Sequence, residues 1–150
     1  CADRLDKAAA EIPVRAGVPV IPVCAELERQ LGELEPEDAQ AYLASLGLER
    51  SALDSVVTAG YRLLDLITLF TIKGVETRAW TVRLGTCAPK AAGKIHTDME
   101  RGFIRAEVIQ WDLLLQEGSF GAAREHGRVR TEGKDYVVQD GDVILFRFNV

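Results

Sequence analysis

The chain has 150 residues, 47% of them hydrophobic and 27% charged, with five prolines and a formal net charge of −5. That composition fits a globular protein. No apolar run approaches the ~18 residues a membrane span needs, and no signal-peptide pattern opens the chain. Three scattered cysteines, Cys1, Cys24 and Cys87, are too few for a disulfide framework or a Cys-x-x-Cys zinc site, so reduced thiols and a cytosolic, cytoplasmic home are expected. The charge is uneven. Residues 1–66 hold six basic and twelve acidic side chains, and residues 67–150 hold twelve and eleven. This predicts two units with different surfaces, neither basic enough to announce nucleic acid by charge alone. The opening CADRLD and the single methionine, Met99, lead us to expect a piece of something longer.

In chain order, Asp3–Ala10 has helix-forming composition. VPVIPV (Val18–Val23) has the length and the valines of a short strand buried in a parallel sheet, with its two prolines placing it near an edge or starting it at Pro19. Pro36 suits a first helical position, followed by Glu37 and Asp38 in the first turn. Ala39, Tyr42, Leu43 and Leu46 continue at helical spacing to a terminating Gly47. A further helix opens at Ser51, with Asp54 three residues on, and lines up Leu53, Val56, Val57, Gly60, Leu63, Leu64 and Ile67. From Leu66 the period changes to that of strands: LITLFTI, then ETRAWTVR, broken at Gly85-Thr86. Ala91–Gly102 reads as one helix, with Ile95 and Met99 on one side. In FIRAEVI, Ile104, Ala106 and Val108 should point one way and Arg105 and Glu107 the other. WDLLLQEG is a short helix ended by Gly118, and SFGAAREHG a second short piece. The last strands follow, with turns at Gly133 and Asp140-Gly141, and Ile144, Phe146 and Phe148 on one face. This order predicts a small mixed sheet with one helix covering one face, the β-grasp or ubiquitin-like architecture.

Candidate chemistry is sparse. His96, Asp98 and Glu100 lie close in sequence, and His96 and Glu100 have the i, i+4 spacing of metal-binding helices. The only other histidine is His126, so the expectation is a charged helix surface, with Asp98 and Arg101 pairing across solvent. No catalytic residue and no metal ligand is assigned. Cys24-Ala25-Glu26 follows the expected strand, where parallel α/β sheets bind ligands; it reads equally as a plain strand-to-helix turn. No Gly-x-x-x-x-Gly-Lys-Ser/Thr loop and no Gly-x-Gly-x-x-Gly occur. The chain alone is therefore expected to hydrolyse nothing. Arg83 and Arg105 on the open sheet face, with Arg78, Lys90, Lys94 and Arg101 near helix ends, form a set that can position an RNA backbone or serve as ordinary solvated surface.

Several segments together resemble a known family. RAWTVRLGT, APKAAGKIHTDMERGFIRAEVI and EGKDYVVQDGDVILFRFNV resemble the carboxyl-terminal region of the YchF subfamily of Obg-related P-loop ATPases, over essentially all of Leu66–Val150. VPVIPVCAELERQL and the junction Leu63–Thr71 resemble the end of that family's nucleotide-binding domain. The resemblance implies an α+β chain in which residues 1–66 are the last strand and helices of an α/β P-loop domain and residues 67–150 a β-grasp TGS domain. It implies a parent that binds and hydrolyses ATP with Mg²⁺, associates with the ribosome or RNA through the TGS domain, and contacts neither DNA nor membrane. The phosphate loop and the nucleotide-binding domain's other elements would lie upstream, leaving the choice of ATP over GTP outside this chain. The resemblance places Cys24, Ala25 and Glu26 on the turn that flanks the base, with Cys where Ser is common. A stand-alone ubiquitin-like protein-interaction domain without nucleotide chemistry is the alternative.

Overall fold

The computed structural model describes residues 19–73 and 76–149. The chain divides into two compact units, Cys1–Leu63 and Leu64–Val150. Among the described residues no helix is long and apolar enough to cross a membrane.

Among its described residues the first unit holds three helices, α1 (Ala25–Leu31), α2 (Pro36–Ser45) and α3 (Ala52–Leu63). Pro36 stands in the first turn of α2 as expected, and Gly47 ends the helix region at φ +73°, a conformation glycine adopts without penalty. Ser51 caps α3, its hydroxyl accepting the Asp54 amide at 3.0 Å. A second cap was not legible locally. Glu28 reaches from α1, and its carboxylate accepts the Ala52 and Leu53 amides at 2.8 and 3.4 Å. The acid also suits the positive end of the α3 dipole. One expectation fails here. Asp3–Ala10 and Val18 lie outside the described residues. The strand expected over Val18–Val23 does not form across Pro19–Val23, which has no regular structure. A strand exists only through its neighbours' hydrogen bonds, and no described strand of this unit offers a partner.

The second unit is a five-stranded sheet in the order β2-β1-β5-β3-β4, built from β1 (Leu66–Lys73), β2 (Glu76–Arg83), β3 (Phe103–Gln110), β4 (Arg130–Glu132) and β5 (Asp142–Phe148). β1 and β2 form an antiparallel hairpin, β5 runs parallel to β1 between the two hairpin-like halves, and β3 is antiparallel to both β5 and β4. The α+β class and the β-grasp order agree with expectation. On one face Ile67, Leu69, Val82, Ala106, Val108, Ile144 and Phe146 meet Ala88, Ala91 and Ala92 of α4 (Ala88–Ile95). The alanines are fully buried; their small side chains let the helix backbone approach the sheet. Burying a residue such as Leu69, which is 0% exposed, contributes about 2 kcal/mol.

Three details differ from the sequence reading. The helix expected over Ala91–Gly102 is two helices, α4 and α5 (Thr97–Arg101), broken at an extended His96 (φ −159°, ψ 140°). His96 is the N-cap of α5, and its Nδ1 accepts the Asp98 amide at 3.2 Å. A cap residue must leave helical geometry, so the histidine that looked like a helix-surface group ends one helix and starts the next. Second, Ile104 stays outside the core. The β3–β5 register shifts between Phe103 and Arg105, which leaves Ile104 outside, 55% exposed, and sets Phe103 edge-on to Phe146 at 6.3 Å. Such a bulge inserts one residue and reverses the alternation before it. Third, the other sheet face is not wholly open. α6 (Trp111–Glu117) and α7 (Phe120–Glu125) carry Leu114, Phe120 and Ala123 onto Ile109 and Val143 there.

Candidate nucleic-acid interface

The end of β2 turns at Leu84–Thr86. The Leu84 amide donates to the Asp65 carbonyl at 2.7 Å, the Thr86 amide to the Arg83 carbonyl at 3.1 Å, and Gly85 takes φ +87°. The following residues are tied to a distant loop. Cys87 bridges Val137, the Ala88 amide donates to the Tyr136 carbonyl at 2.8 Å, and the Val138 amide to the Thr86 carbonyl at 3.0 Å. That loop is anchored in turn by Asp142, which is 0% exposed. Its carboxylate accepts from the Gln110 amide group (2.8 Å), the Tyr136 hydroxyl (2.7 Å) and the Gln139 main chain (2.9 Å). Burial, and then the hydrogen bond to Asp142, push the Tyr136 phenol up to about 12. The start of α4 is thus held from beneath by a satisfied polar cluster.

Between this turn and the exposed side of α4 runs an open groove of about 660 Å³ lined by Arg83, Thr86, Cys87, Lys90, Lys94 and Glu100, among others. Lys90 and Lys94 share one side of α4 by their i, i+4 spacing. Lys90 Nζ lies 2.6 Å from a Glu100 oxygen, and that carboxylate raises the lysine above its ordinary value. Glu100 also lies close to Gly93. A Cβ there would stand 2.2 Å from Glu100 Oε2, so the glycine lets Glu100 lie against α4. The lining thus holds three basic residues and one carboxylate, the latter paired with Lys90.

Of the six cations singled out from sequence, Arg83, Lys90 and Lys94 come together here. Arg78 lies nearer the other end of β2, paired with Glu76 at 2.7 Å. Arg101 is exposed at the end of α5. Arg105 sits on β3 opposite Arg147 of β5, and strand alternation puts Arg83 on that same sheet face, with β1 and β5 between their strands. Sequence reasoning missed a second basic site on that face. Glu107, 7% exposed, accepts from Arg147 Nε at 3.0 Å and from Arg124. Arg147, and then Arg124, hold its carboxyl below the usual range against the opposing effect of burial. Partners 17 and 40 positions apart leave no local pattern to find.

Among the described residues no three His, Cys, Asp or Glu side chains come together as a metal set. His96 Nδ1 is occupied as a cap acceptor, with the Asp98 carboxylate 3.4 Å away, so Asp98 faces His96 where pairing with Arg101 was expected. Cys24 is the extended N-cap residue of α1, its carbonyl accepting the Glu28 amide at 3.0 Å. The Glu26 carboxylate accepts from Arg29 Nη2 at 2.8 Å and Gln30 Nε2 at 3.1 Å, and Arg29 lowers its pKa. Its side chain is therefore engaged within its own helix.

The YchF GTPase carboxyl-terminal family, described as a protein of unknown function (DUF933), matches residues 66–149. The chain is 53% identical to the ribosome-binding ATPase YchF of Haemophilus ducreyi over 93% of its length, covering 39% of that relative. With the protein of the same name from Bacillus subtilis it shares 54% over 87% of its length, covering 36%. With Obg-like ATPase 1 of Rattus norvegicus it shares 48% over 89%, covering 33%. The solved structure of the Schizosaccharomyces pombe YchF GTPase superposes with a TM-score of 0.79 at 34% identity, over 97% of this chain and 38% of that one. The chain thus spans well under half the length of the curated relatives it matches. With the family match running from the first residue of β1 to the end of the sheet, the chain belongs to the YchF GTPase carboxyl-terminal family.

Proposed function

We propose that this chain is the carboxyl-terminal part of a cytoplasmic, ribosome-associated Obg-like protein that binds and hydrolyses ATP. Residues 67–150 would be its TGS domain and RNA- or ribosome-recognition module, and residues 1–66 the end of its nucleotide-binding domain. The observation that carries the reading is the 53% identity, over nearly the whole chain, to a protein named ribosome-binding ATPase. The convergence of Arg83, Lys90 and Lys94 on one groove supports its recognition half. Cations spaced along a groove suit a phosphate backbone, which they position without reading sequence.

Among the described residues no three His, Cys, Asp or Glu side chains gather where a metal ion could be held by protein ligands alone. At Cys24-Ala25-Glu26 a nucleotide base would meet main-chain amides, because the Glu26 carboxylate is engaged by Arg29 and Gln30. Arg78, Arg101 and Arg105 would play at most a peripheral part, since the fold holds them outside the groove.

Ribosome co-sedimentation of the chain tests the proposal. Wild type is expected to sediment at low salt and to be lost steeply as salt rises, as a phosphate-dominated contact must be. Arg83→Glu, Lys90→Glu and Lys94→Glu together should abolish sedimentation, and Arg105→Glu should reduce it far less. Salt-insensitive binding, or binding indifferent to the triple change, would instead favour a protein-interaction domain. A parent reading frame with no upstream phosphate loop would end the ATPase reading.

A further inference from the structure

The second face of the sheet carries a surface that the recognition role above does not use. α6 and α7 cover it chiefly over β3 and β5, around Ile109 and Val143, with Phe70 and Ile72 of β1 half-buried against the same cluster. On β2 the residues of that face, Thr77, Ala79 and Thr81, are exposed. The result is a trough of about 280 Å³ lined by Phe70, Ile72, Trp111, Leu114 and Leu115. Trp111 is 51% and Leu115 72% exposed, although both are large and apolar. The trough continues past Ile72 and Val143 into a second hollow of about 250 Å³, where Phe120, Arg124 and Arg147 stand. The basic groove shares no lining residue with either hollow.

The walls are held in place. Trp111 lies against Gly141, where a Cβ would come within 2.6 Å of the indole and the backbone is at φ +80°, and the Trp111 amide donates to the Gly141 carbonyl at 3.1 Å. Arg147 and Arg124 both turn to Glu107, and the Arg124 guanidinium also lies 5.8 Å from the Phe120 ring centre. Two guanidiniums share one carboxylate, so the hollow keeps a positive charge. Each guanidinium has five N–H donors in a planar fork suited to carboxylates.

From this juxtaposition we propose that the trough docks a protein segment presenting large apolar side chains beside Asp or Glu side chains. The apolar groups would fill the Phe70–Leu115 end and the carboxylates would meet Arg124 and Arg147. The lining is chiefly aliphatic, with a single net positive charge, a poor match for a nucleic-acid backbone that needs several cations. Aromatic anchors in a pocket beside an arginine are the usual composition of a protein-binding hot spot.

The test is an NMR titration of the full chain with short synthetic peptides in which Leu and Phe alternate with Asp and Glu. Parallel series carry Asn and Gln, or Lys, in the acidic positions. Saturable shifts at the Trp111 indole, Leu115 and Phe70 are expected with the acidic series, at least about fivefold weaker with the amide series and absent with the lysine series. Arg124→Gln should bring the acidic series down to the amide series and leave the latter unchanged. Leu115→Glu should lose both, with the free protein's Trp111 signal in place as the sign of a retained fold. The proposal is overturned by equal binding of all three series, by no saturable shift, or by shifts centred on Arg83, Lys90 and Lys94. It also fails if an RNA oligonucleotide moves the same resonances more strongly, or if dilution shows them to report self-association. None of these results depends on ribosome sedimentation, so this proposal and the preceding one fail separately.

Discussion

The two units handle their apolar residues in opposite ways. In the sheet unit, Ile67, Leu69, Val82, Val108, Ile144 and Phe146 are buried against α4. In the helical unit the apolar face of α3 has formed but is not covered: Leu53, Val56, Val57 and Leu63 are 63, 44, 51 and 59% exposed, and Leu31 is the buried apolar side chain among that unit's described residues. Amphipathic periodicity makes a helix in both places. Only a second layer converts the stripe into a core, because stability comes from area removed from water and not from the pattern itself.

The largest test of this contrast is Gly102→Val. A Cβ at Gly102 would stand 1.8 Å from the Asn149 carbonyl oxygen, in the pair where the Asn149 amide donates to Gly102 at 2.9 Å. Backbone must move, and we expect about 4 kcal/mol or more of lost stability in denaturant unfolding of the sheet unit's signal. A matched pair comes next. Leu69→Ala should cost about 3 kcal/mol, whereas Val57→Ala on α3 should stay within about 0.5 kcal/mol. Comparable losses would mean that the α3 face is covered in solution.

A smaller effect concerns pH. The Tyr136 phenol is raised from 10.0 to about 12. Below pH 10 it is protonated whether folded or unfolded, and its contribution is fully present. Between pH 10 and about 12 the unfolded chain gains by ionising first, so stability falls as pH rises through that window. Tyr136→Phe should flatten that alkaline limb, and a phenolate absorbance step at pH 10 assigned to Tyr136 would contradict the buried cluster. The smallest expected change is Arg78→Ala. Its exposed pair with Glu76 should be worth under about 0.5 kcal/mol by thermal unfolding, and any larger loss would mark Arg78 as more than surface.

The legible parts of the sequence were those where chemistry and neighbour lie close together. Pro36 and Gly47 bound α2, Ser51 caps α3, Gly118 ends α6 at φ +75°, and Asp140-Gly141 turns into β5. ETRAWTVR forms the strand that its alternation suggested, with Val82 in the core. The basic residues of APKAAGKIHTDMERG were visible, but not that two of them would join Arg83. That depends on the Cys87–Val137 bridge, which seats the start of α4. The histidine in the same stretch was visible too, and its role as the break between two helices was not.

By itself, then, the sequence determined the strand order along the second unit and its β-grasp class, because hydrophobic period, caps and turn residues act over a few positions, and it pointed to the family through the resemblance of whole segments. Tertiary structure decided the rest. The bulge that leaves Ile104 outside the core, the Glu28 cap on α3, the Asp142 cluster and the pairing of Arg124 and Arg147 on Glu107 all join residues far apart along the chain. Such contacts are selected by the closing of the sheet and by the requirement that buried polar groups find partners, and that requirement leaves no mark in any short window of sequence.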